Sequence, residues 1–128
     1  MSKKLVFVFG SNEAGIHGAG AAKYAYEKCG ARWGHSYGRY GDSFAIPTKD
    51  MEIQTLPIGD VKDYVTGFLA YARGQRKTQF KITQIGCGLA GFTKEQIAPF
   101  FKHAPINCQF DSAWAPILGG DYVYWGTL

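Results

Sequence analysis

Cysteine is scarce: Cys29, Cys87 and Cys108 are the only three in 128 residues, and none belongs to a Cys-x-x-Cys pair. An odd, widely spaced set supports neither a disulfide framework nor a zinc site, and it fits a reducing compartment. No His, Cys or carboxylate cluster has ligand spacing, so no metal is expected. Long apolar runs are also missing; none approaches the roughly 20 residues that a membrane span needs. Met1-Ser2-Lys3-Lys4 precedes only Leu5-Val6-Phe7-Val8-Phe9, too short an apolar stretch for a signal peptide. A cytoplasmic protein without a membrane partner is therefore expected. Charged residues make up just 19%, and the net charge of +4 is scattered rather than gathered into an arginine-lysine stripe with interleaved aromatics. Mild attraction to phosphate-bearing ligands follows, but no dedicated nucleic-acid surface is indicated. Internal repeats, a Walker loop and a Gly-x-Gly-x-x-Gly fingerprint are all absent.

What remains has the size and apolar content, 46%, of a single domain, residues 1–128, able to bury a core without covalent staples. The continuously apolar Leu5-Val6-Phe7-Val8-Phe9 reads as a strand buried on both faces of a parallel sheet. Gly10 ends it, a loop with Gly15, Gly18 and Gly20 follows, and residues 21–29 supply helix formers closed by Gly30. Residues 30–43 carry a glycine every three or four positions among Arg32, Trp33, His35, Tyr37, Arg39 and Tyr40. This is either a functional loop or an irregular connector whose aromatics cover the edge of the core.

Phe44-Ala45-Ile46 reads as a short strand stopped by Pro47, and residues 53–58 as a brief edge strand or an extended link. Asp60 is placed as the N-cap of a helix whose Val61, Val65, Phe68, Leu69 and Ala72 share one face. Arg73, Arg76 and Lys77 complement its C-terminal dipole. Residues 80–85 form the next strand. Thr93 with Gln96 has capping-box spacing and Phe92 with Ile97 has staple spacing, so a helix should start at the preceding glycine loop, delayed or kinked by Pro99. Residues 107–110 read as a last core strand, and Tyr122 and Tyr124 share a face of a further one. Strands alternating with helices predict an α/β fold of three α/β/α layers around a mostly parallel or mixed sheet.

The stretch Ile85-Gly86-Cys87-Gly88-Leu89-Ala90-Gly91-Phe92 joins a β-branched strand to a helix signal. Bare amides at such a junction favour an anion, although an ordinary tight turn has the same composition. Ligands of parallel sheets sit beyond the carboxyl ends of the strands. Three strand ends here carry glycine or polar chemistry: Gly10-Ser11-Asn12-Glu13 with its following glycines, Thr48-Lys49-Asp50, and residues 86–92. Parallel strands bring all three to one rim, where two glycine loops clamp a diphosphate and Asn12 and Lys49 make directional contacts.

Val8-Phe9-Gly10-Ser11-Asn12 with its glycines, and the 85–91 run before a helix, resemble the two ligand loops of macrodomains, the ADP-ribose-binding modules. Phe44-Ala45-Ile46-Pro47-Thr48-Lys49 is similar to the Thr-Lys strand end of the branch containing the terminal ADP-ribose glycohydrolase and the antitoxin that clears ADP-ribose from DNA. Compact phage-encoded members are the most similar in length. The resemblance spans roughly residues 6–104. It implies a ligand site at Gly10, Ser11, Asn12, Glu13, Gly15, His17, Gly18, Gly20, Gly86, Cys87, Gly88, Leu89, Ala90, Gly91 and Phe92, with Asn12 on the distal ribose. It implies Lys49 as a nucleophile at the ribose anomeric carbon, no cofactor, and ADP-ribose as ligand or product. Nucleic acid would enter only as a modified substrate. The glycohydrolase carries an aspartate where this chain has Ala90, so Asp50 or Glu13 would have to assist Lys49.

Two readings follow: a glycohydrolase acting on an ADP-ribosylated macromolecule, or a non-catalytic binder that reads ADP-ribose or sequesters a related nucleotide signal. In the second, Lys49 pairs with a ligand phosphate or with Asp50. A third, cysteine-dependent hydrolysis by Cys87 with His17, His35 or His103 as base, competes with simple packing of a small thiol between two glycines. His17 either touches ligand or faces solvent.

Overall fold

Val6, Phe7, Val8 and Phe9 are all buried, in β1 (Lys4–Asn12), because this strand has a hydrogen-bonded neighbour on each side and a helix over each face, whereas Leu5, expected to be buried with them, is exposed near the start of the strand. The computed structural model describes residues 4–128; Met1, Ser2 and Lys3 of the basic N-terminal segment lie outside them. Among the described residues the chain continues through α1 (Gly20–Lys28), β2 (Gly38–Tyr40), β3 (Ser43–Lys49), α2 (Ile58–Arg73), β4 (Thr78–Ile82), α3 (Lys94–Ile97), β5 (Cys108–Asp111), α4 (Ala115–Leu118) and β6 (Val123–Gly126). The strands form one sheet in the order β2-β3-β1-β4-β5-β6. β1 runs parallel to both β3 and β4, β5 and β6 continue the parallel set, and β2 alone is antiparallel, on the β3 edge. The architecture is mixed α/β and compatible with three α/β/α layers.

Alternate residues of β1 face opposite layers, as the period of a strand requires. Phe7 and Phe9 pack with Ala45 of β3 and with Ala22 and Ala25 of α1. Val6 and Val8 face the larger core, where Phe44, Phe80 and Ile82 meet Val61, Val65, Phe68, Leu69 and Ala72 of α2. Phe68 is its hub. The ring lies 4.9 Å from Phe44, 5.3 Å from Phe80 and 6.5 Å from Phe101, in tilted or edge-on geometries that suit aromatic quadrupoles.

Local chemistry explains where elements begin and stop. The 58–73 helix starts two residues earlier than Asp60: Pro57 is its N-cap, without a side-chain cap, and Asp60 instead complements the dipole from the first turn. Residues 53–58 do not form a strand, although Thr55 bridges Lys49. Nor does Pro47 stop β3, since β2 opposes only Ser43, Phe44 and Ala45 and no strand lies beside Pro47 on that edge to need its N–H. β4 ends at Ile82 rather than at residue 85, because the Thr83 hydroxyl donates to the Val8 carbonyl at 2.8 Å and Ile85 N–H turns back onto the Thr83 carbonyl. The capping box of Thr93 and Gln96 opens α3, but Pro99 converts the chain to a 3-10 turn at Ala98–Phe101. In the tail, Trp114 is fully buried on Phe101 and Phe110.

Removing the hub should cost the most of any single truncation in this core. Phe68→Ala is expected to lower the unfolding free energy by about 3–5 kcal/mol, read as a fall in the urea midpoint at unchanged slope.

Candidate functional site

Parallel pairing of β1 with β3 and β4 sends three carboxyl ends to one rim, and a cleft of about 570 Å³ opens there. Gly10, Ser11 and Asn12 line it from β1, Thr48 and Lys49 from β3, and Thr83, Gln84, Ile85 and Gly86 from the end of β4. On the side of the Phe7 and Phe9 face, Gly18, the start of α1 and Tyr24 form one wall. Gly88, Leu89, Ala90 and Ile53 line it as well, in segments that lead to α3 and α2 on the opposite face of the sheet.

Much of this surface is backbone. α1 begins after Ala19 without a side-chain cap, so the first-turn amides of Gly20, Ala21 and Ala22 are not satisfied within the helix. Small residues in that turn keep the amides accessible. Across the rim, Cys87, Gly91 and Phe92 donate to loop carbonyls, whereas the amides of Gly86, Gly88, Leu89 and Ala90 find no backbone acceptor among the described residues. Gly86 has a φ of 76°, which favours glycine, and a methyl group there would fall 3.2 Å from the Phe92 ring, so the ring would have to shift slightly. Phe92 itself packs on the core beside the loop.

Among the described residues, Lys49 is the one charged side chain that lines the cleft. Its position depends on a register shift: Ser11 pairs with Pro47, Asn12 pairs with Lys49, and Thr48 between them is left over. The Thr48 hydroxyl then donates to the Ser11 carbonyl at 3.2 Å, while Glu13 N–H donates to the Lys49 carbonyl at 2.8 Å. A bulge of this kind re-aims side chains at the end of a strand. Among the described residues the one ion pair is Lys4 with Asp42, at 3.7 Å, so Lys49 has no carboxylate within salt-bridge distance.

Several residues singled out in the sequence stand apart from the cleft. The Asp50 carboxylate accepts the Glu52 and Gln54 amides, each at 2.9 Å, and is spent on the turn after β3. Glu13 lies in a separate concavity of about 280 Å³ with Tyr37, Asp60, Asp63 and Tyr64, where the Tyr64 hydroxyl donates to it at 2.6 Å. That bond, then burial, pushes the Tyr64 hydroxyl up to about 12. The neutral donor is thus held through pH 10 and lost as pH rises through 12. His17 is buried rather than facing ligand or solvent; its Nε2 donates to the Arg32 carbonyl at 2.9 Å and its ring meets Phe9 edge-on. Gly15 belongs to the same internal packing, with φ of 70° and no room for a Cβ against Gly34. Asn12 lines the cleft, but its amide closes its own loop by bonding both the N–H and the carbonyl of Ile16. Cys87, Gly91 and Phe92 do not line the cleft.

The cleft also has lining residues that motif reading passed over. Tyr24, Ile16, Ile53 and Leu128 are apolar or aromatic yet exposed. Their one sequence signal was solvent exposure on otherwise amphipathic or turn segments, which a single sequence does not display. Thr83 and Gln84 were absorbed into the strand that in fact ends before them. Among the described residues no group of His, Cys, Asp and Glu is arranged to hold a metal, and no helix is long and apolar enough to cross a membrane.

Comparison of the chain with protein-family models, curated proteins and solved structures returns no match. The geometry of the cleft is therefore the ground for any functional reading.

Two measurements test this description. Burial pushes the thiols of Cys87 and Cys108 up, the latter to about 12, so both hold less thiolate at a given pH than an unperturbed cysteine. Alkylation by iodoacetamide at pH 8 should be slower at Cys87 than for a free thiol and slowest at Cys108, and should accelerate as pH rises. A Cys87 that alkylates faster than a free thiol would contradict the buried setting. Gly15→Ala would bring a methyl group 2.4 Å from the Gly34 carbonyl carbon at a positive φ. It should destabilise the fold by about 2 kcal/mol or more, measured by thermal unfolding.

Proposed function

We propose that the protein binds ADP-ribose or a related nucleotide diphosphate in this cleft, as a compact macrodomain-like module. One observation carries the reading: two sets of backbone amides, from the first turn of α1 and from Gly86, Gly88, Leu89 and Ala90, belong to a single cleft whose one charged side chain among the described residues is Lys49. A diphosphate presents two adjacent negative groups, and amides at a helix start and in a glycine loop stabilise such charge without competing side chains. The volume is in the range used by nucleotide-sized ligands, and the apolar walls suit the faces of a nucleoside. The partner expected on this reading is ADP-ribose itself or a macromolecule that carries it.

Hydrolysis is the second reading, favoured by Lys49 at the rim. In that chemistry Lys49 Nζ, having given up a proton, bonds the anomeric carbon as the bond to the modified group breaks; water then releases the sugar and restores the amine. Binding without chemistry stands ahead of it, because among the described residues no Asp or Glu side chain lines the cleft: Ala90 offers none, and Asp50 accepts two amides of its own turn. Thiol chemistry at Cys87 finds no support, since that residue stands outside the cleft and burial raises its thiol.

Calorimetric titration with ADP-ribose, ADP and NAD is the direct test. ADP-ribose is expected to bind, and Lys49→Ala to weaken it about 10-fold, the loss of one charge-assisted contact. Wild-type protein that gives no heat with ADP-ribose at millimolar concentration sinks the proposal. With an ADP-ribosylated substrate, release that disappears in Lys49→Ala promotes the hydrolytic reading, and tight binding without release retains the binder.

A further inference from the structure

Ile53 has a φ of 63°, and it is the one non-glycine residue in the left-handed region among the described residues. A β-branched side chain is poorly suited to that conformation, where Cβ crowds the carbonyl oxygen. The surrounding turn shows how it is held there. Ile53 N–H donates to the Asp50 carbonyl at 3.1 Å, Asp50 N–H donates to the Gln54 carbonyl at 2.7 Å, and Thr55 bridges back to Lys49. This is a type I turn followed by a left-handed residue, a three-residue hairpin connection whose last position calls for glycine or asparagine. The Asp50 carboxylate locks it by accepting two more amides, and the Thr55 hydroxyl ties it to the Ala90 carbonyl at 2.9 Å.

The strain is not repaid by packing in the core. Ile53 is 38% exposed and belongs to neither hydrophobic cluster. It lines the ligand cleft. A residue that opposes its own turn, leaves an apolar side chain in solvent and contributes nothing to the core has its use outside the fold. Resting on the reading of this cleft as the ligand site, we infer that Ile53 is an affinity-determining residue whose side chain packs against the bound nucleotide diphosphate. The turn that holds it follows Lys49 directly, so this apolar contact and the cation reach the ligand from one segment. Closure of the side chain on the ligand removes apolar surface from water only in the complex, so the strain is offset on binding.

The two roles a side chain can have here, support of the fold or contact with ligand, separate by measurement. Ile53→Gly relieves the unfavourable φ, and Ile53→Asn keeps a side chain tolerant of it. Both variants are expected to melt at the wild-type temperature or up to about 4 °C above it. Both should bind ADP-ribose about 5- to 20-fold more weakly by calorimetry, the share of an isoleucine contact. Affinity within about twofold of wild type in either variant overturns the assignment while leaving the cleft reading intact. A melting temperature more than about 5 °C lower in both also overturns it, by showing that the side chain supports the fold. Wild-type protein that gives no heat with ADP-ribose overturns the cleft reading and this inference with it.

Discussion

Parallel pairing of β1 on both sides is the constraint on which the rest depends. It buries the middle of β1 on both faces and carries the strand's last residues past the end of β4, alongside β3. Beyond Ile82 the chain turns away from β1, and threonines close the rim. Thr83 donates both its N–H and its hydroxyl to the Val8 carbonyl, and the Thr48 hydroxyl donates to the Ser11 carbonyl. Both hydroxyls are buried with their strands, so the sheet terminates with its polar groups satisfied. The open amides then lie not in the sheet but in the loops above it.

The two walls of the cleft differ because the two faces of the sheet differ. Phe7 and Phe9 fill their face with large rings, and α1 meets them through Ala22 and Ala25. The opposite face is built from larger side chains on α2, with Phe68 between three other aromatics. The connection from β3 to α2 therefore travels around the end of the sheet before the helix begins, and the 50–57 segment that does so is folded into a hairpin turn. Its hydrogen bond from Thr55 to Ala90 couples it to the glycine loop. The cleft is thereby a product of three connections held to one another, rather than of any single motif.

What could be read from the sequence was whatever is encoded by neighbours in the chain. The unbroken apolar run at residues 5–9, the i, i+4, i+7 stripe of α2 and the Thr93-Gln96 capping box each depend on local spacing, and each is present in the structure. Pro47 misled because its tolerance depends on how far β2 extends beside β3, a pairing between distant residues. Asp60 misled because Pro57 ended the preceding segment by fixing its own φ, while an acidic residue suits a first turn as well as a cap. His17 and Trp114 illustrate the same limit from the other side. A polar ring in a glycine loop and an aromatic in an uneven tail give no local sign of burial, and only the approach of Arg32 to one and Phe101 to the other places them inside.

Of the site, the convergence of three strand ends was legible because parallel topology requires it, whereas the division of labour among carboxylates was not. Asp50 follows Lys49 in sequence, and adjacency suggested a chemical pair. Adjacent residues at a strand end point apart, however, and Asp50 turns to the amides of Glu52 and Gln54 instead. It holds the turn that carries Ile53. Glu13 is likewise drawn away, to the Tyr64 hydroxyl. Among the described residues the cleft therefore presents one charged side chain, Lys49, with open amides and apolar walls and no Asp or Glu side chain. On the proposed reading, the same absence leaves a water molecule or the Lys49 amine without a carboxylate side chain in the cleft to take a proton, so the arrangement that would suit an anion is also the one that would withhold the assistance cleavage needs.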